Sequence, residues 1–464
     1  MNDLTIGNEG KCIFNFALPM FIGGLFQQLY NTADSIIVGQ FVGKEAMAAV
    51  SGATPIIFLL TSFLIGITLG FSILLSQYYG SKDMKKVKAT IDTAYIFVFI
   101  SSFIISVLGI SLSSTILKLM NTPDSILHLS KGYLNIIFAG VLFSSGYNCI
   151  SAILRGLGDS KTPLYFLIIS TVINIVLDIV FIIYFNMGVN GVALATIIAQ
   201  ACSFIFSIIF LNKKHDILKI GFKNLQYDSA IFKKGLKLGI PSAIQQMLFS
   251  FGNITLQSLV NSYGTSAMAA FGAGSKIEMF ISLPIMNLGA AVSTFVAQNI
   301  GAQKLDRVKN GVKASIKISL SISLSVIFVI MIFKGSLIKI FNTDAEVVAI
   351  GAEYLMTIGP FFFIIGTSFM LTSCIRGAGD SIFAMISSIV SLWLARIPTA
   401  YILSSILGVR GIWMGIPIGW GVGLIVTGIY YKKGYWKNKS IVIDKPNSEN
   451  FSNEYEYAST ESLD

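Results

Sequence analysis

The sequence predicts an all-α integral membrane protein in which twelve transmembrane helices form two parallel-related six-helix bundles. Three observations predict this fold class: the composition, the number of apolar runs and an internal repeat. Of the 464 residues, 54% are hydrophobic and only 12% are charged, whereas soluble domains carry roughly 25% charged residues. The net charge of +10 therefore does not indicate a nucleic-acid partner, because the composition fits a lipid bilayer.

Twelve apolar runs each reach the roughly 20 residues that a helix needs to cross a bilayer. They lie at 13–38, 47–78, 91–116, 132–153, 163–185, 190–211, 239–261, 267–299, 314–333, 353–374, 382–405 and 411–431. The runs at 47–78 and 267–299 exceed that length, so each fits a tilted or extended helix. The four cysteines show no metal-binding spacing, which favours packing residues and predicts no metal centre.

The positive charges support this count. If the amino terminus is cytoplasmic, the segments on the cytoplasmic side hold 24 of the 33 lysines and arginines, and the outer segments hold six. Lysine and arginine concentrate in cytoplasmic loops of membrane proteins. We therefore expect a multi-pass protein of the plasma membrane with both termini in the cytoplasm.

Five short motifs recur in the same order along the chain. GKEAMAA (43–49) returns as GTSAMAA (264–270), and QYYGSKDMKKVK (77–88) returns as QNIGAQKLDRVK (298–309). MNT and LRGLGDS recur at the same offset of 221 residues, and GVNGV recurs at 220. Because six spans return the chain to its starting side, both halves share one orientation, as in parallel-repeat transporters.

The repeat predicts four segments. The amino-terminal six-helix bundle covers 1–211, and the carboxy-terminal bundle covers 239–431. The lysine-rich stretch 212–238 is predicted to be a cytoplasmic connector between them. The polar, acidic tail 432–464 is predicted to be a disordered cytoplasmic segment.

The first span carries a polar stripe. Residues three, four and seven apart share a helical face, and this face bears Gln27, Tyr30, Asn31 and Asp34. Facing lipid, such groups would be costly to leave unsatisfied, so we expect them to face a cavity or another helix. Intramembrane carboxyl groups are functional candidates. The alternative for Asp34 is a residue near the outer helix end that reaches the headgroups.

A second intramembrane carboxyl group supports the functional interpretation. Asn174 and Asp178 are four residues apart and share one face of the fifth span. At the repeat offset, Asp34 corresponds to Thr255 and Asp178 to Thr399. The carboxyl groups therefore occur in one half only, which favours a specialised site over a purely architectural role.

The chain resembles the multidrug and toxic compound extrusion (MATE) transporters in five stretches: ALPMFIGGLFQQLYNTADSIIVGQFVG, SQYYGSKDMKKVK, ILRGLGDSKTP, VINIVLDIVFI and GVNGVALAT. The resemblance runs from about residue 10 to 435 and is strongest to the bacterial DinF-like and MepA-like branch. It implies a V-shaped two-bundle fold and secondary antiport, in which H+ or Na+ enters as an organic compound leaves. We therefore expect drugs or other small organic cations as substrates, no enzymatic activity, no cofactor and a functional monomer.

The resemblance also implies a cation-coupling cluster in the amino-terminal bundle, at Asp34, Asp178, Asn174, Thr196 and Gln27. The alternative is a structural hydrogen-bond network. Because a low-dielectric pocket disfavours ionised carboxylates, two neighbouring acids can hold a proton at neutral pH. The same oxygen atoms could instead bind Na+ at Asp34, Asp178 and Asn174. The sequence favours H+ and leaves Na+ open.

Three charged residues fall within spans of the second half. Glu278, Lys276 and Arg396 are candidates to line the substrate chamber, together with Tyr30 and Asn31 from the first span. Members of the resembled family often have an acid near the position of Glu278. The alternative is a structural ion pair in which Lys276 or Arg396 neutralises Glu278.

The motifs RGLGDS and RGAGDS are too short for a phosphate-binding loop and lack its Lys-Ser/Thr ending. They predict turns in which glycines end one helix and an aspartate, Asp159 or Asp380, caps the next. Arg155 and Arg376 are predicted to face the cytoplasmic surface there.

Three other functions compete with export. A lipid-linked oligosaccharide flippase of the same superfamily would have a chamber richer in arginine, whereas only Arg396 lies well inside a span. A membrane enzyme would need a cluster of histidine or acidic residues at one membrane face, or a substantial loop. A passive channel is disfavoured by duplicated halves that contain a buried acid pair.

Overall fold

The computed structural model describes residues 2–214, 218–219 and 225–442. Helices make up all the regular structure in these ranges. The α-helices are α1 Glu9–Ile37, α2 Lys44–Gly80, α3 Met84–Leu119, α4 Asp124–Ala139, α5 Val141–Gly156, α6 Lys161–Ile179, α7 Gly188–Lys214, α8 Ser229–Asn261, α9 Thr265–Gly301, α10 Leu305–Lys339, α11 Ala345–Ile358, α12 Phe362–Gly377, α13 Ser381–Ile389, α14 Ile397–Leu407 and α15 Val409–Lys433.

Short non-α segments extend or join these helices. A π-helical turn extends α1 at Val38–Val42 and α6 at Val180–Tyr184, and another joins α13 to α14 at Val390–Arg396. Single 3-10 turns lie at Gly359–Phe361 and Tyr435–Asn438. π-Helical turns are frequent at functional sites. Two of the three follow a helix that carries an intramembrane acid: Val38–Val42 follows α1 with Asp34, and Val180–Tyr184 follows α6 with Asp178.

Ten helical segments of the described chain are long and apolar enough to cross a membrane, and the pair α4–α5 makes an eleventh. Eleven of the twelve predicted runs fall on these segments. The run at 239–261 lies in α8, a 33-residue helix that is not among them and carries Gln245, Gln246 and Gln257. The count of twelve spans therefore stays a prediction.

The predicted span at 132–153 is not one straight helix. The axes of α4 and α5 differ by 48°, and the break lies at Gly140. A Cβ atom at this position would lie 2.4 Å from the Ile197 side chain of α7. The close packing of α7 therefore requires glycine at the bend.

Helical residues fall inside two segments that the sequence assigns to a connector and a tail. Within the predicted connector 212–238, helix α8 already begins at Ser229, after Asp228 accepts hydrogen bonds from the backbone of Ala230 and Ile231. Residues 215–217 and 220–224 of that connector lie outside the described residues.

The tail predicted to be disordered from 432 onward is ordered through Val442. Its Trp436 is buried, and Lys439 Nζ lies 3.0 Å from a carboxylate oxygen of Asp380. The rest of that tail, 443–464, lies outside the described residues. Packing against the helix ends therefore orders at least the start of the segment.

Helices α2 and α8 pack closely because small residues line their contact. A Cβ atom at Gly66 would lie 2.3 Å from the Ala243 Cα atom, and one at Gly70 would lie 2.4 Å from the Gly239 nitrogen. The spacing of four residues on both helices is the small-xxx-small pattern of membrane helix pairs. Helix α2 of the first half is thereby fixed against the second half.

Helices α2 and α9 also touch at one end. A Cβ atom at Gly80 would lie 1.9 Å from the Gln298 carbonyl oxygen, and one at Gly301 would lie 1.9 Å from the Gln77 carbonyl oxygen. We call these four residues the crossing. Their numbers differ by 221 within each residue type, so both halves contribute the same two residues.

The side chains of the crossing form hydrogen bonds with both halves and with the backbone near both ends of the described chain. Gln77 Nε2 donates to the Gly377 carbonyl at 3.1 Å, and Gln298 Nε2 donates to the Gly156 carbonyl at 2.9 Å. The amide oxygen of Gln298 accepts from the Leu4 backbone N–H, and that of Gln77 accepts from the Ile441 N–H, each at 3.1 Å. Each half therefore contributes the same kinds of hydrogen bond to the crossing.

Candidate functional site

A cavity of 470 Å³ lies among helices of the first half. Its lining residues come from α1, α2, α4, α5 and α7. The polar ones are Gln27, Tyr30, Asn31, Asp34, Ser35, Thr54, Thr61, Thr68, Tyr133, Ser144, Ser145, Asn148, Thr196 and Gln200. We call this space the main cavity. Its mixed polar and apolar wall is typical of small-molecule sites.

The polar stripe of the first span faces the main cavity. Gln27, Tyr30, Asn31 and Asp34 all line it, as the helical periodicity predicts. Asp34 is half-buried, and its Oδ1 atom makes no hydrogen bond within the described chain. The side chain therefore points inward, which argues against the alternative that it reaches the headgroups.

Asp178 and Asn174 lie behind the cavity wall on α6, and both are fully buried. The carboxyl groups of Asp34 and Asp178 are close neighbours, and Asn174 lies beside Asp178. Two carboxylates this close repel each other, and a proton or a small cation shared between them relieves that repulsion. We call Asp34 and Asp178 the acid pair.

The atoms around the acid pair are free to bind a ligand. In the described residues, both oxygens of Asp178, both amide atoms of Asn174 and the Tyr30 hydroxyl are buried without a hydrogen-bond partner. Thr196 lines the cavity next to Tyr30. Buried polar atoms are nearly always satisfied, so such a group of unpartnered oxygens indicates a place where a ligand completes the bonding.

The structure does not bring Gln27 to the acid pair. Seven residues of helix separate it from Asp34, which is roughly 10 Å along the axis. Gln27 lines the same cavity two turns away, so it belongs to the chamber rather than to the immediate surroundings of the carboxyl groups.

Tyr133 is a cavity residue that the sequence did not reveal. It lies on α4, lines the main cavity and is close to both members of the acid pair. An isolated tyrosine in an apolar run resembles an ordinary packing residue, so no sequence signal could have identified it.

The charged residues of the second half lie apart from the acid pair. Glu278 accepts a hydrogen bond from the Tyr354 hydroxyl, and Arg396 lies near that tyrosine. Lys276 instead lies over the Phe341 ring, with Nζ 5.7 Å from the ring centroid. Among the described residues Glu278 has no ion pair, so the predicted alternative of a Lys276 or Arg396 bridge is wrong.

Aromatic packing surrounds Tyr354. The ring of Tyr354 lies edge-on to Trp413 at 4.9 Å between centroids, and Phe271 stacks on Trp413 at 5.5 Å. The hydroxyl that Tyr354 gives to Glu278 is thus held in a rigid aromatic setting. None of these residues lines the main cavity.

The two aspartates of the glycine-containing motifs cap helices as predicted. Asp159 accepts from the backbone of Lys161 and Thr162 at 3.1 and 3.0 Å, and Asp380 accepts from the Phe383 N–H at 3.0 Å. Burial acts to raise the pKa of Asp380, but hydrogen bonds from Tyr430, Phe383 and Lys439 outweigh it and hold that pKa below its ordinary value.

The two arginines of the same motifs point inward, so the prediction that they face the cytoplasmic surface is wrong. Arg376 Nη2 donates to Gln245 Oε1 at 2.8 Å. Arg155 lines two smaller cavities beside the main cavity. Both lie in the last turn of a helix, α12 and α5, where a cation complements the helix dipole.

Two stretches of the chain, 19–180 and 241–402, match the family model described as MatE. The chain belongs to the MatE family. Among similar proteins is the probable multidrug resistance protein YpnP of Bacillus subtilis (strain 168). It is 35% identical over 445 residues, which are 96% of this chain and 99% of YpnP. The probable multidrug resistance protein YoeA of the same organism is 34% identical over 435 residues, 92% of this chain and 94% of YoeA.

Solved MATE structures share the fold. One is an outward-facing conformation of a multidrug resistance MATE family transporter of the MOP superfamily. It aligns with a TM-score of 0.88 at 26% identity and covers 93% of this chain and 97% of its own. The predicted all-helical MATE fold is therefore confirmed. Members of the family are membrane transporters without a cofactor, so a membrane enzyme is excluded.

Proposed function

We propose that this MATE transporter exports organic cations in exchange for inward H+, and that the acid pair couples the two movements. The proposal depends on one observation: the half-buried carboxyl group of Asp34 lines a 470 Å³ cavity and lies close to the fully buried carboxyl group of Asp178. The names of the relatives YpnP and YoeA support multidrug export as the physiological role.

Exchange follows from competition for one negative charge. A low-dielectric site favours the neutral form of a carboxyl group, and Asp178 is fully buried. A proton or an organic cation can neutralise the acid pair, but one negative charge cannot bind both at the same time. One charge that crosses 100 mV provides about 2.3 kcal/mol, which supports a gradient of about fifty-fold.

Na+ is the second candidate for the coupling ion. Hard cations prefer oxygen ligands, and the carboxyl groups of the acid pair and the Asn174 amide oxygen supply several. H+ is favoured because two neighbouring carboxyl groups can share a single proton without further ligands.

Alternating access requires that one side of the protein be closed. We infer that both termini lie in the cytoplasm, that the protein acts as a monomer in the plasma membrane, and that the bundles 1–211 and 239–431 rock against each other. The crossing lies at the end where Leu4 and Ile441 bind, so this arrangement is closed to the cytoplasm. The likeness to an outward-facing MATE structure supports that assignment.

Transport in proteoliposomes tests the proposal. A fluorescent organic cation is followed under an imposed pH gradient without Na+, and then under a Na+ gradient without a pH gradient. We expect the pH gradient to drive transport by the wild type, and Asp34→Asn and Asp178→Asn each to reduce it to the passive leak, because an amide does not exchange protons.

The equivalent positions of the second half provide matched controls. Thr255→Ala and Thr399→Val change residues 221 positions further on and are expected to transport at the wild-type rate. Thermal unfolding of each purified variant reports whether it is folded. Wild-type pumping by both aspartate variants would overturn the coupling assignment, and transport driven by the Na+ gradient alone would assign Na+.

A further inference from the structure

Two smaller cavities of 200 and 170 Å³ adjoin the main cavity. The first shares Gln27 and Asn148 with it, and the second shares Thr68 and Asn148. Both are lined by Arg155. Because Gly156, the next residue, accepts a hydrogen bond from Gln298 of the crossing, the two cavities lie between the main cavity and the closed end.

Arg155 brings a positive charge to these cavities without a matching negative one. Neither cavity is lined by an acidic residue. Within the described ranges Arg155 forms no ion pair and donates no hydrogen bond to a side chain. A guanidinium group cannot lose its charge in a protein, and Arg155 is half-buried, so water screens its charge only in part. An anion from solution or from a substrate would supply the missing partner.

Two buried hydroxyl groups add hydrogen-bond donors. Ser151 lines the first cavity at 2% exposure and Ser293 lines the second at 4%, and neither Oγ atom has a partner among the described residues. Tyr147 is next to Ser151 but donates its hydroxyl to the Pro163 carbonyl at 3.0 Å. The Tyr147 hydrogen is thus used on Pro163, and Ser151 keeps its own hydroxyl hydrogen to donate.

The equivalent arginine of the second half has a side-chain hydrogen-bond acceptor, which Arg155 lacks among the described residues. Arg376 lies 221 residues after Arg155, lines none of these three cavities and donates to Gln245 Oε1 at 2.8 Å. The first half has no such acceptor for Arg155. This difference between the two arginines fits a group on a ligand, rather than on the protein, as the acceptor for Arg155.

We propose that Arg155 forms an anion-binding subsite beneath the main cavity, with the Ser151 hydroxyl in the first of the two cavities and the Ser293 hydroxyl in the second, and that this subsite takes a carboxylate or phosphate group. Arginine and hydroxyl donors suit both groups. The subsite rests on the proposed export function and adds to it a specificity for substrates that carry an anionic group as well as a cation. Gln27 links the two regions, roughly 10 Å along α1 from Asp34.

A matched pair of dyes tests the subsite. Rhodamine 123 is a cationic methyl ester, and rhodamine 110 is the corresponding free acid with a carboxylate. Fluorescence polarisation measures the Kd of each dye for the purified full-length protein. We expect Arg155→Gln to weaken rhodamine 110 at least about tenfold, which is about 1.4 kcal/mol, and to change rhodamine 123 less than about twofold. Arg155→Lys, which keeps the charge, is expected to restore most of the loss.

Further arms separate a substrate group from a free anion. If inorganic phosphate competes with rhodamine 110 but not with rhodamine 123, the subsite also takes a free anion. If it competes with neither, the anionic group must be part of the substrate. Equal loss of both dyes, or no loss of rhodamine 110 in Arg155→Gln, would overturn the subsite.

Two measures keep the outcome clear. If Arg155→Gln does not fold, the double variant Ser151→Ala with Ser293→Ala replaces it, with the same expected preference between the dyes. Binding in detergent needs no ion gradient, so a failure of H+-driven transport would reject the proposed function while leaving the Kd comparison intact.

Discussion

Equivalent positions of the two halves, 221 residues apart, are alike at the crossing and different at the acid pair. At the crossing, Gln77 and Gln298 make the same bonds, and Gly80 and Gly301 make the same close contacts. In the acid pair, Asp34 and Asp178 correspond to threonines. The contact between α2 and α9 is thus made twice, whereas the aspartate pair is present once. A contact between two halves gains from symmetry, and the proposed coupling site does not need it.

The largest expected effect tests the crossing, which is the symmetric contact between the two halves. Gly80→Ala and Gly301→Ala each place a Cβ atom 1.9 Å from a backbone carbonyl oxygen, so α2 and α9 must separate. We expect each to destabilise the closed arrangement by roughly 1–3 kcal/mol or more, and by similar amounts. Spin labels at Lys82 and Gln303, both exposed, measure the change in distance across the crossing.

The same two helices offer controls for this prediction. A Cβ atom at Gly52 of α2 or Gly272 of α9 would meet nothing within 4 Å. Alanine there is expected to leave the label distance unchanged. A wild-type distance in Gly80→Ala and Gly301→Ala would show that the crossing does not hold the two helices together.

A smaller effect is expected where equivalent lysines face different surroundings. Lys88 Nζ lies 2.7 Å from Asp92, which is 3% exposed, and Lys309 Nζ lies 2.8 Å from Asp306, which is 91% exposed. Lys88→Ala leaves a buried carboxylate unpaired and is expected to destabilise folding by roughly 1–2 kcal/mol. Lys309→Ala should leave the Tm unchanged, because exposed pairs contribute little. Equal Tm shifts for both variants would contradict this prediction.

The smallest effect concerns the two capping aspartates. Asp380 has a lowered pKa because hydrogen bonds from Tyr430, Phe383 and Lys439 outweigh burial. Since its folded pKa lies below the ordinary value, its charged form stabilises the folded state above about pH 4, and this contribution is lost as the pH falls further. We expect Asp380→Asn to lower the Tm at pH 7 and to match the wild type near pH 3. Asp159→Asn should shift the Tm at pH 7 less, because Asp159 lacks the tyrosine and lysine partners; a pH-independent loss in Asp380→Asn would contradict the prediction.

The sequence predicted what depends on local periodicity. The stripe from Gln27 to Asp34 lines the main cavity, because residues on one helical face stay together whatever surrounds them. The caps at Asp159 and Asp380 form, because a cap depends on residues within three positions of it.

The sequence did not predict what depends on neighbours far along the chain. The bend at Gly140 accommodates the close approach of the Ile197 side chain. Tyr133 reaches the acid pair only because α4 packs against α2 and α7. Arg155 and Arg376 were expected at the surface because their motifs resemble turns. Each instead points inward from the last turn of its helix, which a motif cannot specify.

The attachment of both chain ends to the crossing has a practical consequence for anyone who produces this protein. Leu4 donates its N–H to Gln298, so a purification tag fused ahead of Met1 would begin three residues from a bond that keeps the two helices together. An addition there is therefore expected to weaken the contact between α2 and α9.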